Sequence, residues 1–142
     1  MSHIAKISVE IKDLAALRQA CARLGFGFQE GQRSYAWYGR YAGDTPLPEG
    51  ITQDQLGKCD HAIGVPGAKY EIGLVQQEGR YALLWDSWEE GGLAQILGAN
   101  AERLVQAYAI EAAKNAAVAQ GYSVYEEALE GGAIRLHVQV AA

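Results

Sequence analysis

A long helical segment near the C-terminal end, residues 99–120, constrains the fold of this chain more than any other feature. At ~1.5 Å per residue, such a segment makes a rod of roughly 30 Å. Asn100 is the predicted N-cap, and Gly121 is expected to end the helix. The face predicted to be buried consists of Val105, Tyr108, Ala109, Ala112, Ala116 and Ala119. Because small side chains allow close approach, we expect this helix to lie across a β-sheet.

The opposite face of the same helix is predicted to be polar and exposed. Its residues are Glu102, Arg103, Gln106, Glu111 and Lys114. Ile110 falls among these polar residues, so we expect its side chain to reach solvent. An exposed isoleucine is a candidate contact with a partner protein, although isolated exposed apolar residues are also common on ordinary surfaces.

The size and charge of the chain limit the kinds of protein that it can be. It has 142 residues, and we predict a single domain over residues 1–142. The net charge of −5 argues against a nucleic-acid partner, because phosphate contacts need a basic face. No apolar run reaches ~18 residues, and the start of the chain lacks the apolar core of a signal peptide. Two distant cysteines do not make a disulfide framework. We therefore expect a soluble, cytoplasmic protein without membrane contact.

Local patterns predict a strand and a short helix at the start of the chain. Residues 6–12 alternate between apolar and polar side chains, which is typical of a strand with one solvent-exposed face. Asp13 is expected to cap the helix that follows, and Gly25 to end it. Cys21 lies on the apolar stripe of this helix, so we interpret it as an inert core residue.

Further alternating segments predict a mainly antiparallel sheet. The additional strands are expected at residues 26–30, 33–41, 59–65, 69–76, 80–85, 122–127 and 133–140. The strands 26–30 and 33–41 are expected to pair with each other as a hairpin that turns near Gly31. Residues 93–97 are expected to form a brief helical turn, and residues 43–57, with two prolines and several glycines, the least ordered loop. In the last hairpin, the residues expected to face inward are Ile134, Leu136, Val138 and Val140.

These elements together predict an α+β fold, with two principal helices packed on one face of the sheet. The exits of the two helices are similar in sequence, since LGFGFQE at residues 24–30 parallels QGYSVYE at residues 120–126. A strand precedes each helix and two strands follow it. This order suggests two β-α-β-β halves, and chance similarity of the two helix exits is the competing explanation.

Two groups of aromatic residues are candidate partner contacts. Tyr35, Trp37 and Tyr41 share one face of the predicted strand 33–41, and arginines flank them. Such a strand could bind single-stranded nucleic acid by stacking, or it could pack within the protein, because strands favour aromatic residues.

The second group, Trp85, Asp86 and Trp88, stands where a predicted strand ends. Two tryptophans beside an acid suit an interface anchor, although they could also close the end of the sheet.

Cys59 and His61 are the best candidates for catalysis or metal binding. Two residues apart on a strand, they are expected to project from the same face, where a thiolate and an imidazole could bind zinc or form a nucleophile pair. No second pair at metal-site spacing accompanies them, and zinc needs three or four ligands. The alternative is a buried thiol beside a hydrogen-bonded histidine.

Several segments resemble one known family. MSHI, CDHAIGVPG, YEIGLV, YALLWDSW, LVQAYA and GYSVYEE follow one another along the chain. They are similar to sequences of the domain of unknown function 1257 family, which includes the hypothetical chloroplast reading frame 35 proteins. The resemblance covers nearly the whole chain and is weakest in residues 43–57. It implies a small intracellular protein, found alongside ATPases of the AAA+ type, and supplies no activity, cofactor or catalytic residue.

The sequence therefore predicts a non-enzymatic binding or adaptor protein that acts through protein–protein contacts, as an oligomer or as a partner of an AAA+ type ATPase system. We expect no cofactor and no catalytic residue. The alternatives are a metal- or thiol-dependent enzyme that uses Cys59 and His61, and a nucleic-acid-binding protein that uses the aromatic strand.

Overall fold

The computed structural model describes residues 2–41, 43 and 46–140 and has an α+β architecture, as predicted. A five-stranded antiparallel sheet has the order β1-β5-β4-β3-β2, and a separate two-stranded sheet pairs β6 with β7. The strands are β1 (Ile4–Lys6), β2 (Gly27–Gln29), β3 (His61–Gly64), β4 (Glu71–Gln77), β5 (Arg80–Asp86), β6 (Ser123–Ala128) and β7 (Ile134–Gln139). The helices are α1 (Leu14–Leu24), α2 (Leu93–Leu97) and α3 (Glu102–Ala119).

One face of the five-stranded sheet packs against all three helices. Alternate strand residues point to this face, including Ile63 of β3, Ile72 of β4 and Leu83 of β5. They meet Leu17 of α1 and Leu104 of α3 in one continuous cluster. We call this cluster the helix-face core. The two principal helices therefore lie on one face of the sheet, as the sequence predicts.

The other face of the sheet is covered by the segment that connects β2 to β3, whose described residues form neither an α-helix nor a β-strand. Tyr35, Ile51 and Leu56 of this segment pack on Ala62 of β3 and Leu84 of β5. We call this smaller cluster the loop-face core. A 3₁₀ turn, Gln53–Gln55, is the only regular element among the described residues of the segment. The expectation that 43–57 is a loop is confirmed for the described part, and residues 44 and 45 lie outside the described residues.

Helix α1 begins and ends where the sequence predicts. The Asp13 carboxylate accepts a hydrogen bond from the Ala16 N–H at 2.9 Å, and Gly25 closes the helix in the left-handed region with φ +76°. Cys21 is buried in the helix-face core. Helix α3 packs against α1, and its Tyr108 hydroxyl accepts hydrogen bonds from the N–H groups of Lys12 and Asp13, just before α1 begins.

The buried face of α3 is rotated by part of a helical turn from the face that the sequence predicts. The buried residues of this helix are Leu104, Ala107, Tyr108, Ile110 and Glu111. Ala109, Ala116 and Ala119 are exposed. Ile110 was expected in solvent and is instead 8% exposed. The bulky residues select the buried side here, because a large apolar side chain loses more water contact on burial than an alanine does.

The predicted N-cap of α3 is also wrong. Ala101 holds that position with φ +56°, and no side chain caps the helix. The Glu102 carboxylate turns back and accepts from the Asn100 N–H at 3.2 Å. At the other end, Gly121 ends the helix as predicted, with the Tyr122 N–H bonded to the Ala117 carbonyl.

Two predicted strands differ from the structure. Residues 33–41 contain only an isolated bridge between Ser34 and Lys58, and β2 pairs with β3 instead. Residues 6–12 keep the predicted alternation, with Ile7 and Ile11 buried, but β1 ends at Lys6. There the Val9 N–H bonds to the Ile7 carbonyl in a tight turn. Local alternation therefore predicted the buried side correctly and the hydrogen-bonded partner incorrectly.

The remaining strands lie close to their predicted positions, and α2 coincides with its predicted range. The β6–β7 hairpin forms as expected but does not join the main sheet. Its Val138 and Val140 were predicted to face inward and are instead 50% and 69% exposed. Of the two predicted β-α-β-β halves, only the second has all its elements, β5, α3, β6 and β7, because residues 33–41 supply no strand.

Candidate functional site

The first predicted aromatic group does not form an open surface of rings. Tyr35 is 3% exposed in the loop-face core, and Trp37 and Tyr41 are half-buried at its edge. The ring of Tyr35 lies directly over Gly73 of β4, where a Cβ atom would clash with it. Tyr38 is the only aromatic residue of this segment that is exposed, at 42%. This arrangement disfavours nucleic-acid stacking along 33–41, because stacking needs several accessible ring faces.

The second predicted group is divided between the two faces of the sheet. Trp85 is buried in the helix-face core, and Asp86, the next residue, points to the opposite side. Trp88 is half-buried, with its ring centroid 5.1 Å from that of His3. Trp37, Tyr41 and Trp88, which keep part of their surface in solvent, stay predicted partner contacts.

Asp86 has a structural position that the sequence did not predict. Its carboxylate is fully buried and accepts three backbone N–H groups. Oδ1 accepts from His3 at 2.9 Å and from Trp88 at 3.1 Å, and Oδ2 accepts from Tyr38 at 3.0 Å. Bonds of this kind to a charged acceptor are among the stronger ones in proteins. Asp86 thus joins β1, β5 and the segment that covers the loop-face core.

Cys59 and His61 do not face each other. Cys59 packs in the loop-face core, where its thiol donates to the Gln32 carbonyl at 3.2 Å. His61 contacts the rings of Tyr81 and Phe28, which pack against the helix-face core. The expectation of a shared face is therefore wrong. The two side chains differ in direction because β3 begins only at His61. Cys59 precedes the strand and does not follow its alternation.

The surroundings of the two cysteines disfavour thiol chemistry. Burial raises the pKa of Cys21 to about 12. Burial, assisted by the charges of Asp60 and Glu71, raises the pKa of Cys59 to about 11. Both thiols are therefore protonated near neutral pH, whereas the thiolate is the nucleophile and the metal ligand. In residues 2–41, 43 and 46–140, no group of three His, Cys, Asp or Glu side chains is placed to hold a metal ion.

A surface groove beside the β4–β5 hairpin does not resemble a ligand site. Its volume is about 660 Å³, and its walls include Lys6, Glu10, Gln77 and Arg80. These polar groups already bond to one another, Arg80 to Glu10 at 2.6 Å and Lys6 to Gln77 at 3.1 Å. Binding pockets usually present a few convergent polar groups to a ligand within an apolar wall. Here the polar groups are paired across the groove.

The accessible apolar side chains concentrate around the C-terminal hairpin. Val118 at the end of α3 is 62% exposed, and Val138 and Val140 are 50% and 69% exposed. Val138 lies opposite Val124, just beyond the turn that joins α3 to β6. We call Val118, Val138 and Val140 the valine surface. The sequence did not indicate this surface, because the alternation of the last strand predicted burial. The signal that could have found it is the short length of the hairpin, which cannot bury two faces by itself.

Ion pairs fix the hairpin to the helices. Arg23 of α1 donates to Glu126 of β6 at 2.5 Å and to Glu111 of α3 at 2.8 Å. Lys114 of α3 donates to Glu126 at 2.7 Å. Hydrogen bonds from Arg23 and then Lys114 lower the pKa of Glu126 to about 2. The valine surface is thereby held in a defined position relative to α1 and α3.

Opposite the valines, the outer face of the hairpin carries a stacked pair of rings. Tyr125 and His137 lie with centroids 4.4 Å apart and nearly parallel. Glu127 contacts both His137, at 3.0 Å, and Arg135, at 3.3 Å. The hairpin therefore exposes apolar side chains on one side and a polar, partly aromatic ladder on the other.

Comparison with protein-family models, with curated proteins and with solved structures found no match to this chain. The resemblance to the domain of unknown function 1257 family therefore stays a prediction. In the described part of the chain, no helix combines the length and the apolar character that crossing a membrane requires.

Proposed function

We propose that this chain is a non-enzymatic binding or adaptor protein that acts through protein–protein contacts in the cytoplasm and needs no cofactor. The observation that carries the proposal is the valine surface, which places exposed apolar side chains beside a short hairpin. Val138 and Val140 are two residues apart at the end of the chain, and exposed apolar residues that lie near one another are typical of surfaces that contact another protein. The half-buried Trp37, Tyr41 and Trp88 are further proposed contacts.

The chemistry of the reactive side chains also supports a binding role over an enzymatic one. The two thiols have pKa values raised by burial, and the cysteine and histidine proposed for metal or thiol chemistry point to different faces of the sheet. General acid–base or nucleophilic catalysis requires groups within hydrogen-bond reach of one another. A binding surface makes no such demand.

We propose further that the partner belongs to an AAA+ type ATPase system. The resemblance to the domain of unknown function 1257 family is the ground for this step, and it rests on association instead of contact geometry. The chain would then act as a subunit or adaptor that presents the valine surface to a component of that system.

The proposal is tested by affinity capture from a native extract, followed by measurement of binding between the purified chain and the captured protein. The test variant is Val118→Asp with Val138→Asp, which places two charges in the valine surface. The matched control is Gln139→Asp, which adds a charge to the same strand on its other face. We expect wild type and control to bind and the double variant to lose at least tenfold in affinity. Equal binding by all three, or no captured protein, would contradict the proposal.

Elemental analysis of the purified protein tests the enzymatic alternative independently. A metal present in stoichiometric amount, and lost in a Cys59→Ala variant, would replace the binding proposal by a metal-dependent function. We expect no bound metal in either protein.

A further inference from the structure

The outer edge of β7 offers unpaired backbone groups. β6 and β7 pair in one continuous antiparallel register, from Ser123 opposite Gln139 to Ala128 opposite Ile134. The Leu129 N–H bonds to the Ala133 carbonyl in that same register. Since hydrogen-bonded and non-hydrogen-bonded pairs alternate in antiparallel ladders, the backbone groups of Ile134, Leu136 and Val138 point away from β6. Among the described residues, no hydrogen bond reaches those groups.

An open edge of this kind favours the addition of another strand. An isolated two-stranded hairpin is marginally stable, and an unpaired edge is a template for further pairing. Native proteins usually protect such edges with prolines or bulges, or with charged residues that point toward the edge. The outward-bonding residues of β7 are instead apolar, and the strand contains no proline.

The charges on the two strands distinguish one edge from the other. β6 carries the adjacent acids Glu126 and Glu127, so pairing two copies of β6 would bring like charges together. β7 carries Arg135 and His137 and no acid. Two β7 strands from different copies can pair antiparallel so that His137 of one copy lies opposite His137 of the other. Leu136 then lies opposite Val138 of the second copy, and Arg135 lies opposite Gln139 of the second copy. Apolar residues then meet on one face, and an uncharged amide faces the arginine on the other.

We propose that two copies of this chain associate by antiparallel pairing of their β7 strands, forming a four-stranded sheet across a two-fold axis at His137. The occupant of the edge is thus a second copy of the chain. Two-fold dimers are the commonest closed assemblies, and this one closes because each copy uses the same edge. Pairing β7 with β6 of another copy would leave an edge free at each end and continue into a filament.

The inference goes beyond the proposed function, because it concerns the backbone edge of β7 and does not require a different protein. Val118 lies outside the strand, so Val118→Asp alters the valine surface and leaves the edge intact. If a different partner binds through the valine surface, that variant loses the partner and keeps the dimer. The two proposals can therefore fail separately.

The first test measures molar mass in solution by light scattering or sedimentation over a wide concentration range. Val138→Pro removes an N–H that points away from β6, so it should leave the hairpin ladder intact and prevent pairing between copies. Val138→Thr keeps the N–H and serves as the matched control. We expect wild type and Val138→Thr to have the molar mass of two chains, and Val138→Pro to have the molar mass of one chain. A wild-type mass equal to one chain at every concentration would overturn the proposal.

The second test uses engineered cysteines and does not depend on the folding of a proline variant. His137→Cys would place two thiols opposite each other at the two-fold axis. There the pair is non-hydrogen-bonded, with Cα atoms ~4.5 Å apart, which is within disulfide range. Tyr125→Cys, on the same face of the neighbouring strand, is the control. Under mild oxidation we expect a covalent dimer for His137→Cys and none for Tyr125→Cys or wild type. Cross-linking of both variants alike, or of neither, would overturn the proposed edge.

Discussion

A single buried carboxylate connects three separate parts of this molecule. Because Asp86 accepts N–H groups from His3, Tyr38 and Trp88, its removal leaves three donors without their acceptor. We predict that Asp86→Ala lowers the free energy of unfolding by about 3 to 5 kcal/mol, the range for breaking a buried polar network. Urea denaturation followed by circular dichroism measures this change.

Two further variants show whether the loss arises from the hydrogen bonds of Asp86. Asp86→Asn keeps the size of the side chain but presents one donor where an acceptor is needed, so we expect an intermediate loss. Glu49→Gln, at an exposed position, should leave the transition nearly unchanged. If Asp86→Ala unfolded at the same urea concentration as wild type, the three hydrogen bonds could not be what joins these segments.

Gly73 illustrates a second constraint at the level of one residue. The Tyr35 ring occupies the space that any Cβ at this position would need. We predict that Gly73→Ala costs about 1 to 3 kcal/mol through overpacking. In a Tyr35→Ala background the same substitution should cost at least ~1 kcal/mol less, because the obstructing ring is gone. A double-mutant cycle in urea measures this coupling, and additive effects of the two substitutions would contradict the close contact.

Single residues were predictable from the sequence where their role depends on near neighbours. Asp13 and Gly25 are examples, because helix capping involves residues only a few positions apart. Asp86 and Gly73 were not, since their partners lie far away in the chain. Cys59 and His61 were placed on one face by a rule that holds only within a strand, and β3 begins between them.

At the level of elements, docking of the C-terminal hairpin depends on charge. Glu126 has a pKa lowered from 4.5 to about 2 by Arg23 and Lys114. A carboxyl group with a lowered folded-state pKa contributes stability that is present above pH 4.5 and is lost as pH falls toward 2. We predict that Glu126→Gln costs about 1 to 2 kcal/mol of unfolding free energy at neutral pH, after allowance for solvent screening, and progressively less as the pH falls from 4.5 toward 2. Urea denaturation of both proteins at several pH values gives this difference.

The adjacent acid provides the control for this pH dependence. Glu127 lies on the exposed face of β6 and pairs with Arg135 and His137 within the hairpin, so it does not join the hairpin to a helix. Glu127→Gln should therefore change stability less than Glu126→Gln at neutral pH. A stability difference between wild type and Glu126→Gln that stayed constant from neutral pH to pH 2 would mean that the Glu126 ion pairs do not contribute as described.

Elements were predicted well where one pattern dominated and poorly where two patterns competed. The range of α3 followed from its helix-forming composition, but its many alanines left the buried face undetermined. The larger residues Leu104 and Ile110 decided that face. Residues 33–41 have the aromatic alternation of a strand, yet they cover the loop-face core with little sheet pairing. Strand propensity reflects a fit to a half-buried surface, which a covering segment also provides.

At the scale of the whole molecule, the sheet separates two cores of unequal protection. Two principal helices seal the helix-face core, and α1 and α3 are joined through Tyr108 and the Arg23–Glu111 pair. The loop-face core lies under a segment whose only regular element among its described residues is a short 3₁₀ turn. This segment is attached to the sheet by backbone bonds and by hydrogen bonds to the side chains of Asp86, Glu71 and His61. Regions with fewer buried contacts open at a lower free-energy cost than the global core. The loop side should therefore open first.

The reactivity of each cysteine measures how readily its own core opens. Cys21 lies in the helix-face core, and Cys59 lies in the loop-face core. Each thiol is buried and has a raised pKa, so it should react with a disulfide reagent only after its own core opens. In the single-cysteine proteins Cys21→Ala and Cys59→Ala, we predict that Cys59 reacts at least tenfold faster than Cys21 without denaturant. In urea above the unfolding transition the two rates should converge, because local protection is then lost. Equal rates without denaturant, rising together with urea, would instead show that both faces of the sheet unfold as one cooperative unit.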